Sequence, residues 1–146
     1  MNHNEQDLFT HAPLLTLTNP LGLYDPSGNG YSHMAQIASG ARLVFISGQG
    51  GENAKGELAA DYVMQVRQAL DNLQIALASA GAQVNQVAKL TVLIVDHNHD
   101  RLAIFGKALS EVWGASTKPA CTLIPVPRLA LDGMLFEIEA IAVIPD

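Results

Sequence analysis

The segment VAKLTVLIV, residues 87–95, does most to limit what this chain can fold into. A strand with one wet face alternates apolar and polar residues. This run is β-branched and apolar on both sides, which argues for a strand buried above and below. The rest of the chain has to supply two covers for it.

One cover is evident. Residues 60–80 take on helical spacing, with Tyr62, Val63, Val66, Leu70, Leu73 and Leu77 on one stripe and Gly81 as the stop. Residues 100–113 form a second amphipathic helix, with Leu102, Phe105, Leu109 and Val112 on its apolar face and Asn98 or His99 near its cap. Further strands are expected at 122–126 and 134–144. The runs 33–38 and 42–47, around Ser39-Gly40-Ala41, read as a hairpin. Gly48, Gly50 and Gly51 then open a loop that reaches Leu58. The stretch LLTLTNP suits a short strand, and YDPSGNGYSH is dense in turn residues.

The order is β-β-α-β-α-β-β in an α+β fold, with two helices on one face of the sheet. Two helices cover one face only, so a subunit interface is the economical cover for the other. Composition agrees: 49% of the 146 residues are apolar and 15% charged, a heavy apolar load for one small domain. Residues 1–16 read as an N-terminal extension and 17–146 as the domain.

The formal charge is −6, with cations scattered singly. No basic stripe is present to neutralise phosphates, so nucleic acid is disfavoured as a partner. No apolar run approaches the roughly 18 residues of a membrane span. MNHNEQDLFTHAP lacks the basic and apolar regions of a signal peptide, which makes a soluble cytoplasmic protein the expectation.

Six stretches in order carry a resemblance: GYSHM (30–34), FISGQGG (45–51), QALDNLQIALASAGA (68–82), VAKLTVLIVD (87–96), KPACTLIPVPRL (118–129) and FEIEAIAV (136–143). Together they resemble the RidA/YjgF family, also called endoribonuclease L-PSP. The resemblance implies a chorismate-mutase-like fold with a mixed sheet, a homotrimer around a central barrel, and a small-molecule cleft at each subunit boundary. For the best-known branch it implies hydrolysis of reactive enamines and imines to a 2-keto acid and ammonia, with no metal or organic cofactor.

The family's deaminase branch grips a substrate carboxylate with the arginine of a Pro-Ala-Arg-Ser/Thr stretch. Here that stretch is Pro119-Ala120-Cys121-Thr122. A thiol does not form the charged two-pronged bond of a guanidinium, so the substrate range is expected to differ. Lys118 and Arg128 are the nearest cations, with surface charge as the plainer role for both. Where the family tends to carry an Asn, this chain has Gly106, which either allows close packing or opens space for a ligand. Glu137 matches the family's water-positioning glutamate and is the catalytic candidate. Tyr31, Ser47, Gly48, Cys121 and Thr122 are the ligand-binding candidates.

Other readings stand beside these. Glu137 and Glu139 share a side of the last strand with Leu135 and Ile141, so either burial raises a carboxyl pKa there or both face solvent. Cys121 is a structural thiol unless a base such as His33 lies close. His97 and His99 read as capping residues and not as metal ligands. Trp113 belongs to the core or an interface.

Overall fold

The computed structural model describes residues 13–146. A two-stranded ribbon, β1 (Leu15–Thr18) with β2 (Met34–Ile37), precedes the main layer. That layer contains β3 (Ala41–Gln49), β4 (Val87–Val95), β5 (Ala120–Val126) and β6 (Phe136–Pro145), in the order β3-β6-β4-β5. The β4–β5 pair is parallel and the other pairs are antiparallel, which makes the sheet mixed. A parallel pair needs a crossover, and α2 (His99–Trp113) supplies it. The other helix, α1 (Tyr62–Ser79), links β3 to β4.

Each helix is punctuated by its own sequence. The Asp61 carboxylate accepts the Met64 N–H at 2.9 Å, and the Asn98 side-chain oxygen accepts the Arg101 N–H at 2.8 Å. At the end of α1 the Ala82 N–H reaches the Leu77 carbonyl and the Gly81 N–H reaches the Ala78 carbonyl. Gly81, at φ +76°, makes that turn available.

Both helices pack on the sheet face that carries Leu90, Val92, Ile94, Ile138, Ala140 and Ala142, all essentially sealed from solvent. Leu70, Leu73, Leu77, Phe105, Leu109 and Trp113 complete that core. The opposite face carries apolar groups too, and in the single chain much of it is open. Phe45 there is 72% exposed, Leu43 44% and Ile124 43%. Lys89, Thr91, Glu137 and Glu139 share that face, so the expected two-sided apolar pattern is mixed on its open side, and the helices cover only the other.

Two expectations are corrected. The runs 33–38 and 42–47 do not pair with each other. β2 pairs with β1, from Leu15 opposite Ile37 to Thr18 opposite Met34, while β3 pairs with β6. The LTLT segment offers β2 an antiparallel partner, and Gly40, at φ +83°, turns the chain away into the main sheet. In the helices, Val63 and Leu102 lie at the margin of their stripes and are 39% and 44% exposed.

Candidate functional site

The candidate residues fall into two groups that the single chain holds apart. The first lies where α2, β5 and the turn before β2 meet. Ser32 is buried and fastens that turn to the chain entering β5. Its N–H donates to the Pro119 carbonyl at 3.0 Å and its hydroxyl to the Lys118 carbonyl at 2.6 Å. Tyr31 is thereby set beside Cys121 on the wall of a cleft of about 590 Å³. Leu102, Phe105, Leu109 and Leu123 supply apolar wall, and Thr122, Asn29 and Gly106 also line it. A Cβ added at Gly106 would meet nothing within 4 Å, so of the two roles expected for this glycine the structure shows open space.

Cys121 pairs in register with Leu90 and so points to the helix face of the sheet, against the core. Burial pushes its thiol up to about 11, only partly offset by the Lys89 charge. Such a thiol is protonated near neutral pH and a poor nucleophile. His33 does not rescue it, because its Nε2 bonds the Tyr24 carbonyl at 2.8 Å and its ring stands edge-on to Tyr24 and Tyr31.

The cations near the cleft are arranged differently from the two considered in the sequence. Arg128 is tied to Asp132 at 2.9 Å in an exposed pair. Lys118 lays its stem near Gly30, with its Cδ 3.6 Å from where a Cβ would stand there. Lys89, which sequence reasoning passed over, donates from Nζ to the Thr122 hydroxyl at 2.7 Å. Its signal was available: it is the one charged residue inside the apolar run of β4.

The second group sits at a bulge in β3. Between Ile46 and Gln49 the register against β6 slips by one residue, which places Ser47 and Gly48 out of the ladder. Glu137 lies directly over Gly48, where any Cβ would overlap its carboxylate. That carboxyl is raised above the usual 4.5, first by partial burial and then by the neighbouring charges of Glu52 and Glu139. Glu139 itself is exposed.

Two side chains of α1 hold this glycine segment in place. Gln65 is fully buried and fully bonded: its amide donates to the Ala59 and Gly133 carbonyls, both at 3.0 Å, and its oxygen accepts the Leu135 N–H at 2.8 Å. A Cβ on Gly51 would come within 2.7 Å of Gln65 Cα. Asn72 donates to the Gly50 carbonyl at 3.1 Å and to the Glu52 carbonyl at 2.8 Å. Neither anchor was identified from sequence, although Gln65 interrupts the apolar stripe of α1 at a core-facing position.

The register measures the gap between the groups. Thr91 pairs with Thr122 on one side and Glu139 on the other, and Leu93 pairs with Ile124 and Glu137. Glu137 is therefore two strand spacings from β5, about 10 Å, and on the open face. Cys121 is on the covered face. No single chain brings Tyr31 and Cys121 to Glu137, Ser47 and Gly48.

Comparison with known proteins gives a consistent result. A family model described as endoribonuclease L-PSP matches residues 25–144. The RutC family protein YjgH of Escherichia coli is 35% identical over 116 residues, covering 80% of this chain and 86% of that protein. The 2-iminobutanoate/2-iminopropanoate deaminase of E. coli is 38% identical over 104 residues, covering 69% and 79%. Among solved structures, the Rid-family protein YyfB of Yersinia pestis superposes with a TM-score of 0.85 at 34% identity, covering 90% of this chain and all of that one.

Proposed function

Because the chain belongs to the endoribonuclease L-PSP family, which includes the Rid and RutC proteins, we propose that it is a small-molecule hydrolase of imines or enamines. Its substrate range is altered by the loss of the carboxylate-binding arginine at Cys121. The observation that carries this reading is the seating of Glu137: a half-buried carboxyl on the Gly48 backbone, its pKa raised by burial and by the charges of Glu52 and Glu139, the direction that favours proton transfer near neutral pH.

In this reading Glu137 positions a water against the imine carbon. The water oxygen bonds to that carbon, the C=N π pair moves to nitrogen, and Glu137 relays the proton. The C–N bond then breaks, the carbonyl forms, and ammonia leaves. Tyr31, Cys121 and Thr122 hold the rest of the molecule, while Ser47 and Gly48 border the attacked group. No metal or organic cofactor is required.

The proposal includes assembly. A homotrimer with the open sheet faces turned inward would bury Phe45 and Leu43 and set the cleft of one copy against the Glu137 cradle of the next. Nothing in the reading calls for a nucleic acid or a membrane. The formal charge of −6 and the uncharged cleft lining disfavour ribonuclease action. A second reading, a non-catalytic ligand-binding or protective trimer, is favoured by the absence of a charged side chain among the cleft-lining residues.

An imine-decay assay separates the two. An amino-acid or amine oxidase generates the imine, and semicarbazide traps what remains. The hydrolase reading expects faster decay with wild type and loss of the effect in Glu137→Gln. No acceleration for any imine, carboxylated or neutral, overturns it in favour of the binding reading.

A further inference from the structure

We infer that the cleft between α2 and β5 takes an uncharged ligand bearing a ring or branched hydrocarbon group, with Gly106 setting its depth. This deepens the proposed function by naming a substrate class, and it rests on that reading only for the chemistry performed there.

The lining is the first argument. Leu102, Phe105, Leu109 and Leu123 offer hydrocarbon, and the polar members of the wall are uncharged. A carboxylate entering such a space sheds water without gaining a counter-ion, which is unfavourable. Lys89 and Lys118 stand outside the lining. Lys89 belongs to the open-face set of β4, and its ammonium is bonded to the Thr122 hydroxyl. Lys118 lays its stem against Gly30, its Cδ 3.6 Å from where a Cβ would stand there.

The shape is the second argument. Gly106 sits mid-helix, where glycine costs about 0.5–1 kcal/mol relative to alanine, and its φ lies outside the left-handed region that favours glycine. Its empty Cβ position opens toward the cleft. Space gained there suits a flat or branched group of ring size, since the cleft volume of about 590 Å³ is within the range of small-molecule sites.

Thr122 pairs with Thr91 and so turns its hydroxyl to the open face, where Lys89 binds it; the polar side chains left to the cleft are those of Asn29, Tyr31 and Cys121. Each is an uncharged donor, so the fitting ligand is a hydrocarbon group joined to a neutral acceptor.

The only cysteine of the chain reports occupancy, because Cys121 lines the cleft. Acetophenone and phenylglyoxylate share a ring and a ketone and differ by a methyl against a carboxylate. Each is titrated against alkylation of Cys121 by N-ethylmaleimide at alkaline pH, where the raised thiol begins to ionise, with calorimetry on the unmodified protein as the direct measure. Acetophenone is expected to protect Cys121 at concentrations at least about tenfold below those phenylglyoxylate requires. Gly106→Leu is expected to abolish the protection and Gly106→Ala to weaken it; both residues favour the helix more than glycine does, so the fold is retained. Cys121→Arg, followed by calorimetry, is expected to reverse the preference. Equal or tighter binding of phenylglyoxylate by wild type overturns the inference. So does failure of acetophenone to bind, or binding unaffected by Gly106→Leu. These readouts measure occupancy and not turnover, so an inactive protein that prefers the ketone refutes the hydrolase reading alone.

Discussion

The two faces of the main sheet differ in cover and in chemistry. The face with Leu90, Val92 and Ile138 is sealed by two amphipathic helices from the same chain, and its apolar groups contribute to the stability of that chain. The face with Leu43, Phe45 and Ile124 mixes these apolar groups with Lys89, Thr91, Glu137 and Glu139, and only its Val95 end is covered by the chain, by Leu129 and Met134. The candidate site divides along the same line. Cys121 and its cleft belong to the covered side, and Glu137 with its glycine cradle belongs to the open one. A side chain's chemistry here is set less by its type than by which face its register assigns it to.

The sharpest way to break this contrast is a pair of substitutions. Ile138→Ala removes a sealed side chain and is expected to cost about 2–5 kcal/mol in urea unfolding. Phe45→Ser on the open face is expected to change the unfolding of dilute, dissociated chain by under about 0.5 kcal/mol and to lower the mass seen in sedimentation. Equal destabilisation by both would show that the faces are not distinct in this way.

A smaller effect is expected at the anchored glycines. Gly51→Ala presses a methyl against the α1 backbone at Gln65 and is expected to cost about 1–3 kcal/mol in the same unfolding measurement. Gly48→Ala meets only the movable end of Glu137, so it is expected to be milder in stability while displacing that carboxylate. Catalytic loss without matching destabilisation in Gly48→Ala is the pattern that supports a working cradle.

The smallest effect is in pH dependence. The Glu137 carboxyl is raised in the folded chain, so the native state holds its proton more tightly than the unfolded one. Its favourable contribution is present below the ordinary 4.5 and is lost as pH rises through the folded value, where a charge must sit half-buried beside Glu52 and Glu139. Relative to Glu137→Gln, wild type is therefore expected to lose stability between acid and neutral pH. Parallel unfolding curves for the two proteins at every pH would contradict the assigned environment.

Much of the scaffold was legible because its signals are local. The strand at 87–95, the apolar stripes of both helices, Asn98 as a cap and Gly81 as a stop each follow from periodicity or backbone geometry. The pairing of β2 with β1 was not legible, since a short glycine turn between two strand-like runs looks the same whether or not the runs pair. The site was legible in its residues and not in its arrangement. That Cys121 and Glu137 face opposite ways depends on the register of three strands. The Lys89–Thr122 bond spans 33 positions, and Asn72 looks in sequence like an ordinary polar residue of a surface helix. Long-range anchors of this kind leave no periodic trace.

The central claim is that one copy's cleft and another copy's cradle make a single site. It is tested most directly by placing a second cysteine at Ser47 and treating the protein with a short bismaleimide at alkaline pH, where the raised Cys121 thiol begins to ionise. Covalent dimers and trimers linked between position 47 of one chain and Cys121 of another, absent when Cys121 is replaced by Ser, are the predicted result. A product that is wholly monomeric, with sedimentation at the mass of one chain, would contradict it.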